Sequence, residues 1–268
     1  MSRSSDIYEY AQLNGIEAAS VYFNIKVVSV KRNIYFEKSS KGRGPRYKQK
    51  KYLSNVLAIG DLHEPFTLPG YLEFCLRIYK KYKCDKVVFI GDVIDNHYSS
   101  FHETNPDGHS AGRELQLAKE QIKLWYNAFP YARVCIGNHD LIPERKNFNA
   151  GNSSMWLKSI SAVLETPNWD YAEKHTIDNV EYVHGTARKA RQRMKQDLIS
   201  IVQGHYHAEG YIDYIAGSRY LLFCMQIGAG FDKDSYAAAY GRHFSKPHIN
   251  CGVVLEGGRL PILEYMEL

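Results

Sequence analysis

The chain has 268 residues, 44% apolar and 24% charged, enough for one large domain with a sizeable core and a small appendage. No run approaches eighteen consecutive apolar residues, which excludes a transmembrane helix, and no membrane partner is expected. The cysteines (Cys75, Cys84, Cys135, Cys224, Cys251) are odd in number and lack CxxC spacing, and the opening MSRSSDIYEY lacks a signal peptide's apolar stretch. Both features exclude a disulfide framework and predict reduced thiols in a cytoplasm.

The formal charge of +5 is unevenly spread. Residues 1–53 hold 11 Lys+Arg against 4 Asp+Glu, whereas 54–268 hold 23 against 25. The positive excess therefore belongs to the first fifth of the chain. Residues 1–38 read as a small helical domain of three short helices. Ile7, Tyr8 and Ala11 form a stripe on the first, and Gly15 interrupts it. Ala18, Ala19, Val21, Tyr22 and Phe23 supply a second apolar stretch, and Asn24-Ile25 makes a tight turn. In the third, Val27, Val30 and Ile34 face inward while Lys26, Lys31 and Arg32 face outward. A small-residue pair, a turn and a β-branched basic helix resemble the helix-turn-helix of resolvases, transposases and sigma-like regulators. Two readings stay open for this head, DNA binding and a purely structural or oligomerising role. Residues 39–53 form a basic linker. From Lys38 to Lys51 (KSSKGRGPRYKQKK) there are seven basic residues and no acidic one, a composition that cannot bury apolar surface. It is a solvated tether, a DNA phosphate contact through residues such as Arg43 and Arg46, or both.

From residue 54 to 268, apolar strand-like runs alternate with helical segments, the pattern of an α/β domain. Five runs end in polar residues of one chemical kind. Val56–Ile59 leads into Gly60-Asp61-Leu62-His63, and Lys86–Ile90 into Gly91-Asp92-Val93-Ile94-Asp95-Asn96. Arg133–Ile136 leads into Gly137-Asn138-His139-Asp140, Glu181–Val183 into His184-Gly185, and Leu198–Gln203 into Gly204-His205-Tyr206-His207. In open α/β sheets such strand ends meet in a ligand-binding crevice.

The order GD-x-H, GD-x-x-D, GNH-D, HG and GH-x-H resembles the calcineurin-like metallophosphoesterase superfamily. The resemblance implies a two-sheet α/β/β/α sandwich, here joined to the helical head. It also implies two divalent metal ions, with Mn²⁺ preferred and Fe²⁺, Zn²⁺, Ni²⁺ or Mg²⁺ open, since mixed imidazole, carboxylate and carboxamide donors accept several metals. By resemblance Asp92 bridges the ions, Asp61, His63 and His207 complete one site, and Asn138, His184 and His205 complete the other. His139 is the non-ligating imidazole that protonates the leaving oxygen after metal-hydroxide attack on phosphorus. Asp95 orients a ligand histidine or caps the next turn, and Asp140 is likewise a supporting or capping carboxylate.

The family's Ser/Thr phosphatases carry arginine directly after the second acid of GD-x-x-D, where this chain has Asn96-His97. The stretch resembles instead phage- and prophage-encoded members, with Tyr98-Ser99-Ser100-Phe101 and a helix over roughly Arg113–Phe129. Residues 96–112 form a long polar loop overhanging the site, with His97, His102 and His109 as incidental or substrate-facing groups. Arg145, together with Arg188 and Arg191 in the basic run Arg188–Lys195, are candidate substrate contacts, against the alternative of a solvated helix face. Tyr206 either stacks on a base or packs beneath its loop. Residues 211–268 are expected to be β-rich and to complete a second sheet, with turns at Gly217-Ser218 and Gly257-Gly258. The expected function is a DNA-directed phosphodiesterase or nuclease with nucleic acid as partner, in a bacterial host cytoplasm if phage-encoded. A phosphomonoesterase or small-nucleotide phosphatase, and a DNA-binding protein with a vestigial site, are the alternatives.

Overall fold

The computed structural model describes residues 3–32, 34, 53–101, 104–235 and 246–267. Arg43, Arg46, nearly all of the basic linker, and His102 lie outside the described residues. The chain divides into two compact units, Met1–Tyr52 and Leu53–Leu268.

In the first unit, helices α1 (Arg3–Asn14) and α2 (Ile16–Tyr22) are followed by a helical segment, α3, at 27–32. Gly15 separates α1 from α2 with φ +89°, a value L side chains rarely adopt. Ile7, Ala11, Ala19 and Val30 close a small core against Tyr10, Ile16, Phe23, Ile25 and Ile34. Ala19 is fully buried, the close contact that a small side chain permits. Val21 corrects the sequence expectation, because it is 82% exposed. On a seven-residue helix that buries Ala19, Val21 lies two positions on and faces away from the contact. Tyr22 is also exposed, although its ring stacks on Tyr10 at 4.3 Å. Lys26, Lys31 and Arg32 are exposed.

The second unit holds two sheets. The first has the order β11-β10-β1-β2-β3-β4, built from β1 (Val56–Ile59), β2 (Lys86–Phe89), β3 (Arg133–Cys135), β4 (Asp170–Ala172), β10 (Asn250–Leu255) and β11 (Leu260–Tyr265). The second has the order β5-β6-β7-β9-β8, from β5 (Lys174–Ile177), β6 (Val180–Val183), β7 (Ser200–Gln203), β8 (Tyr211–Gly217) and β9 (Tyr220–Gln226). Strands β1 to β4 are parallel, as are β6, β7 and β9.

Alternation along each strand produces the layers. Val56 and Ala58 of β1, with Val88 and Ile90 on and just after β2, enter the core between the sheets, where they meet Val180, Tyr182, Val202 and Met225. Leu57, Ile59, Val87 and Phe89 point the other way, against Phe74, Cys75 and Ile78 of helix α4 (Tyr71–Lys81) and Ala118, Ile122 and Trp125 of helix α5 (Ala111–Ala128). Val183, Ile201 and Cys224 pack on Ala190 and Met194 of helix α8 (Ala190–Asp197). Strands β1, β6 and β7 are covered on both faces and buried at every position; β1 reads as an unbroken apolar run, while Glu181 of β6 pairs with Lys174 and Arg193. The result is the expected α/β/β/α sandwich. All five cysteines are free and buried. Among the described residues, no helix is long and apolar enough to cross a membrane.

Two expectations about the C-terminal third are refined. The hairpin turning at Gly217-Ser218 does complete the second sheet as β8 and β9. The hairpin turning at Gly257-Gly258 instead joins the first sheet, where β10 lies antiparallel to β1. Its strand is buried from Asn250 to Val254, with Cys251 and Val253 toward α4 and Val254 toward the inter-sheet core.

Candidate active site

Each of the five polar motifs sits at the C-terminal end of a parallel strand (β1, β2, β3, β6 and β7), so the architecture brings their side chains to one edge of the sandwich. The turns that follow are tight. His63, Asp92 and His205 have φ of 53°, 46° and 71°, the left-handed region costly for residues with a Cβ. Such conformations persist where surrounding bonds fix them. The amides of Leu62 and His63 both donate to the carbonyl of Asp92, and the amide of His205 donates to Asp61 Oδ2 at 2.9 Å.

Seven of the eight ligand and catalytic candidates converge through close contacts on two three-residue sets and the asparagine beside one of them. Asp61, His63 and His207 form one set and Asp92, His184 and His205 the other; within each, one donor atom per residue lies within 4.8 Å of the others. His207 Nε2 is 3.0 Å from Asp61 Oδ2 and 3.2 Å from His63 Nε2. Around His184 Nε2 stand Asn138 Oδ1 at 2.9 Å, Asp92 Oδ2 at 3.1 Å and His205 Nδ1 at 3.2 Å. Asp92 Oδ2 is also 3.8 Å from His63 Nε2, so a single carboxylate oxygen faces both sets.

These donors fit divalent cations. His184 Nδ1 lies 3.1 Å from the carbonyl of Ile90, which can only accept, so Nδ1 carries a proton and Nε2, once deprotonated, turns its lone pair toward the Asn138 and Asp92 oxygens. His63 repeats the arrangement, with Nδ1 on Asp95 Oδ1 at 2.6 Å and Nε2 facing His207. Asp61 Oδ1 is buried with no hydrogen-bond partner, a costly condition without a compensating charge. Imidazole nitrogen beside carboxylate and carboxamide oxygen is the donor mixture that suits first-row divalent metals.

The same crowding sets the protonation of the metal-free chain. Burial pulls the His184 imidazolium down, but the Asp92 and Asp61 carboxylates outweigh it and push the group up to about 10. Burial raises Asp92, yet His184 and the neighbouring imidazoles hold it well below the usual carboxylate range. A proton thus occupies His184 where a cation belongs, and ligation must expel it. Metal uptake at pH 7–8 is expected to release about one proton from this group, with apparent affinity rising toward pH 9. Calorimetry in two buffers of different ionisation enthalpy reads this directly; identical heats in both would contradict it.

His139 and Asp95 form a third group with His63, and hydrogen bonds account for it. Asp95 is 2% exposed, and while its carboxylate holds His63, its carbonyl accepts from His139 Nδ1 at 2.6 Å. One residue therefore orients both a metal-type donor and the free imidazole. The His139 amide donates to Asp92 Oδ1 at 2.8 Å. Burial lowers His139, but Asp92 and Asp95 overcome that and leave it above the ordinary histidine value. Asp140 is a buckle between loops, accepting from the amides of Val93 (3.0 Å), Ile94 (3.3 Å) and Gly137 (2.8 Å). Burial and the Asp92 charge push it up to about 7.

Gly137 is required by close approach, since a Cβ there would collide with the backbone and carboxylate of Asp92. Gly137→Ala is expected to lower turnover about 100-fold by displacing that carboxylate. Steady-state rates beside metal content check this; a rate within threefold of the parent would rule it out.

The candidate substrate contacts are placed differently. Arg191 pairs with Asp213 at 2.6 Å and lies over Tyr211, and Arg193 and Lys189 pair with Glu181 and Glu209. Much of the basic run's charge is thus engaged within the second sheet's own surface. Arg188 is exposed, and its carbonyl accepts from Gln203. Tyr206 donates to the carbonyl of Thr186 and packs edge-on against His205. Arg145 is exposed and lies over the Phe101 ring at 4.4 Å. The long loop is pinned at its start: His97 is buried, its amide donates to Glu114 Oε1 at 2.6 Å, and its Nε2 accepts from Asn105 at 3.0 Å. His109 is exposed.

Sequence reasoning missed two supports. Asn96 donates to the carbonyl of His139 at 3.0 Å, a role signalled only by its place directly after Asp95. Phe231 sets its ring 5.2 Å from His63 and 6.1 Å from His207, with no local signal to announce it.

Residues 54–230 match the calcineurin-like phosphoesterase family, and the chain belongs to it. Together with the clustered His and Asp donors, this makes it a metal-dependent phosphoester hydrolase by family. Among solved structures it is similar to a metallophosphoesterase from Sphaerobacter thermophilus, at 13% identity over 80% of this chain and 88% of that one (TM-score 0.44). Similar too are a single mutant of Vps29 from Entamoeba histolytica, at 13% identity over 80% and 99% (TM-score 0.38), and the nuclease MPE from Pseudomonas putida, at 12% over 77% and 86% (TM-score 0.38). No curated protein matches the chain.

Proposed function

We propose that the chain is a phosphodiesterase that cleaves DNA in the course of phage DNA processing, and that residues 1–53 bring it to its substrate. Asp61, His63 and His207 would hold one divalent cation, and Asn138, His184 and His205 the other, with Asp92 facing both. When bound, such a pair supplies Lewis acidity and an activated water at neutral pH. His139, held by its Nδ1 on the Asp95 carbonyl, keeps its other nitrogen for the leaving oxygen and delivers the proton that completes bond cleavage. Asp95 and Asn96 fix that imidazole from its side chain and its backbone. Asp140 locks the loop carrying Asp92 to the loop carrying Asn138.

The observation that carries the nucleic-acid reading is the charge asymmetry: 11 Lys+Arg against 4 Asp+Glu in residues 1–53, beside a hydrolase domain with a slight acidic excess. Clustered positive charge outside the catalytic domain raises local affinity for a polyanion without specifying sequence. Lys26, Lys31 and Arg32 on or beside α3 are the described residues of that surface. The test is a panel of single- and double-stranded DNA, a chromogenic diester and a chromogenic monoester, each with Mn²⁺, Zn²⁺ or Mg²⁺, using the full chain and residues 54–268. DNA and diester cleavage, weakened at moderate salt by loss of residues 1–53, supports the reading. Release of phosphate from monoesters with intact DNA overturns it in favour of a phosphatase.

A further inference from the structure

The hydrolase unit carries aromatic side chains that its core does not use. Of the three tryptophans, Trp125 and Trp169 are buried, whereas Trp156 is 84% exposed. Near it in sequence, Phe148 and Met155 are 79% and 93% exposed, and Phe101 is exposed as well. Leaving such groups in water forgoes burial free energy, so a cluster of them marks a contact surface.

Their placement ties them to the catalytic edge. Helix α6 (Ile142–Asn149) starts directly from the loop of Asn138 and His139, its first amide donating to the His139 carbonyl. Phe101 lies five residues beyond Asn96, which holds that same carbonyl from the other side. Arg145 and Lys146 of α6 close over the Phe101 ring at 4.4 and 4.6 Å, joining the two loops into one cationic and aromatic rim. Phe148 follows Arg145 at the i+3 position of the same helix. Beyond it the chain is held in a built turn. Asn147 Nδ2 donates to the carbonyls of Asn152 and Ser153, and Ser153 Oγ accepts from the amide of Met155. Ser154–Trp156 then forms one 3₁₀ turn that presents the indole outward. The indole is thus displayed by a hydrogen-bonded scaffold.

The chemistry of this strip selects its occupant. From Ile142 to Lys158 there are three basic residues, Arg145, Lys146 and Lys158, against one acid, Glu144. Flat aromatic rings interleaved with cations suit a chain that alternates flat bases with phosphates, and a duplex hides its base faces. We propose that Phe101, Phe148 and Trp156, with Arg145 and Lys146, form a stacking platform for the unpaired bases of a single-stranded nucleic acid leading away from the catalytic edge. This deepens the phosphodiesterase reading and rests on it: the preferred substrate is single-stranded DNA, or a duplex with an unpaired end.

Trp156 is also the reporter. In the full-length chain stripped of divalent ions with EDTA, a twelve-residue oligothymidylate is expected to quench tryptophan emission, while a blunt duplex of equal length leaves it unchanged. Trp156→Ala abolishes the quench and lowers single-strand affinity about tenfold, the scale of one lost stacking contact. Phe148→Ala, which keeps the reporter, weakens the titration similarly. Both variants should melt within a few degrees of the parent, since neither side chain is packed. If the parent cuts neither DNA nor a small chromogenic diester under any metal, the phosphodiesterase reading has failed. If it cuts DNA while Trp156 emission ignores the strand and both variants cut as fast as the parent, the platform is refuted alone. Emission that shifts instead with protein concentration, with dimers in sedimentation, would assign the strip to self-association and also refute it.

Discussion

Asp92→Asn is expected to abolish hydrolysis, lowering kcat/KM by about 1,000-fold or more while leaving the fold intact. The substitution is nearly isosteric, so packing at this buried position (2% exposed) is preserved. What changes is charge and donor character. Asp92 Oδ2 faces His184 at 3.1 Å and His63 at 3.8 Å, and is the oxygen common to both donor sets. Its Oδ1 accepts from the His139 amide at 2.8 Å. An asparagine whose oxygen keeps that amide bond must turn its NH₂ toward His184 and His63, placing donors where lone pairs are needed. The cluster then loses a negative charge and gains hydrogens pointing at the metal position. Metal analysis should show reduced divalent content alongside the lost rate, with circular dichroism matching the parent. Activity within tenfold of the parent at full metal content would remove Asp92 from the centre of the site.

The five strand-end motifs were legible because each is local. A strand, a tight turn and one or two donors fit within six residues, and parallel topology alone carries them to a common edge. The layer structure was legible for a similar reason, since β1 announces itself as an apolar run covered on both sides. What escaped depends on partners distant in sequence. Nothing in Tyr211–Tyr265 says that one hairpin extends the second sheet and the next the first; that choice follows from β10 finding the free edge of β1. The Arg188–Lys195 run leaves a polyanion contact and a solvated helix face open, and the pairing of Arg191, Arg193 and Lys189 with Asp213, Glu181 and Glu209 depends on acids distant from that run. Val21 belongs to the second apolar stretch, yet it lies two positions from the buried Ala19 on the same helix and is exposed. His97 read as an incidental lid residue, yet Glu114 and Asn105 make it the post that fixes the loop's beginning.

His139→Gln tests the proton, and its effect is expected to depend on the leaving group. With an alkyl leaving oxygen, as in DNA, kcat should fall about 100- to 10,000-fold, the usual contribution of a positioned general acid. With a nitrophenyl diester the fall should be far smaller, because an acidic phenol departs without a proton. The geometry gives the reason. The His139 ring belongs to neither the Asp61 set nor the Asp92 set, and its Nδ1 is committed to the Asp95 carbonyl at 2.6 Å. Removing the ring should therefore leave metal content unchanged, unlike Asp92→Asn. Glutamine fills much of the volume and can still donate to Asp95, but it cannot carry a titrating proton. The pH profile supplies the second readout. His139 sits above the ordinary histidine value because Asp92 and Asp95 outweigh its burial, so its acid form persists to higher pH than that of an ordinary histidine and is lost as pH rises through its pKa. The parent's alkaline limb on DNA is expected to vanish in the variant. Equal losses on both esters accompanied by lost metal would make His139 a ligand or a structural prop, and leave the leaving oxygen to be protonated by water.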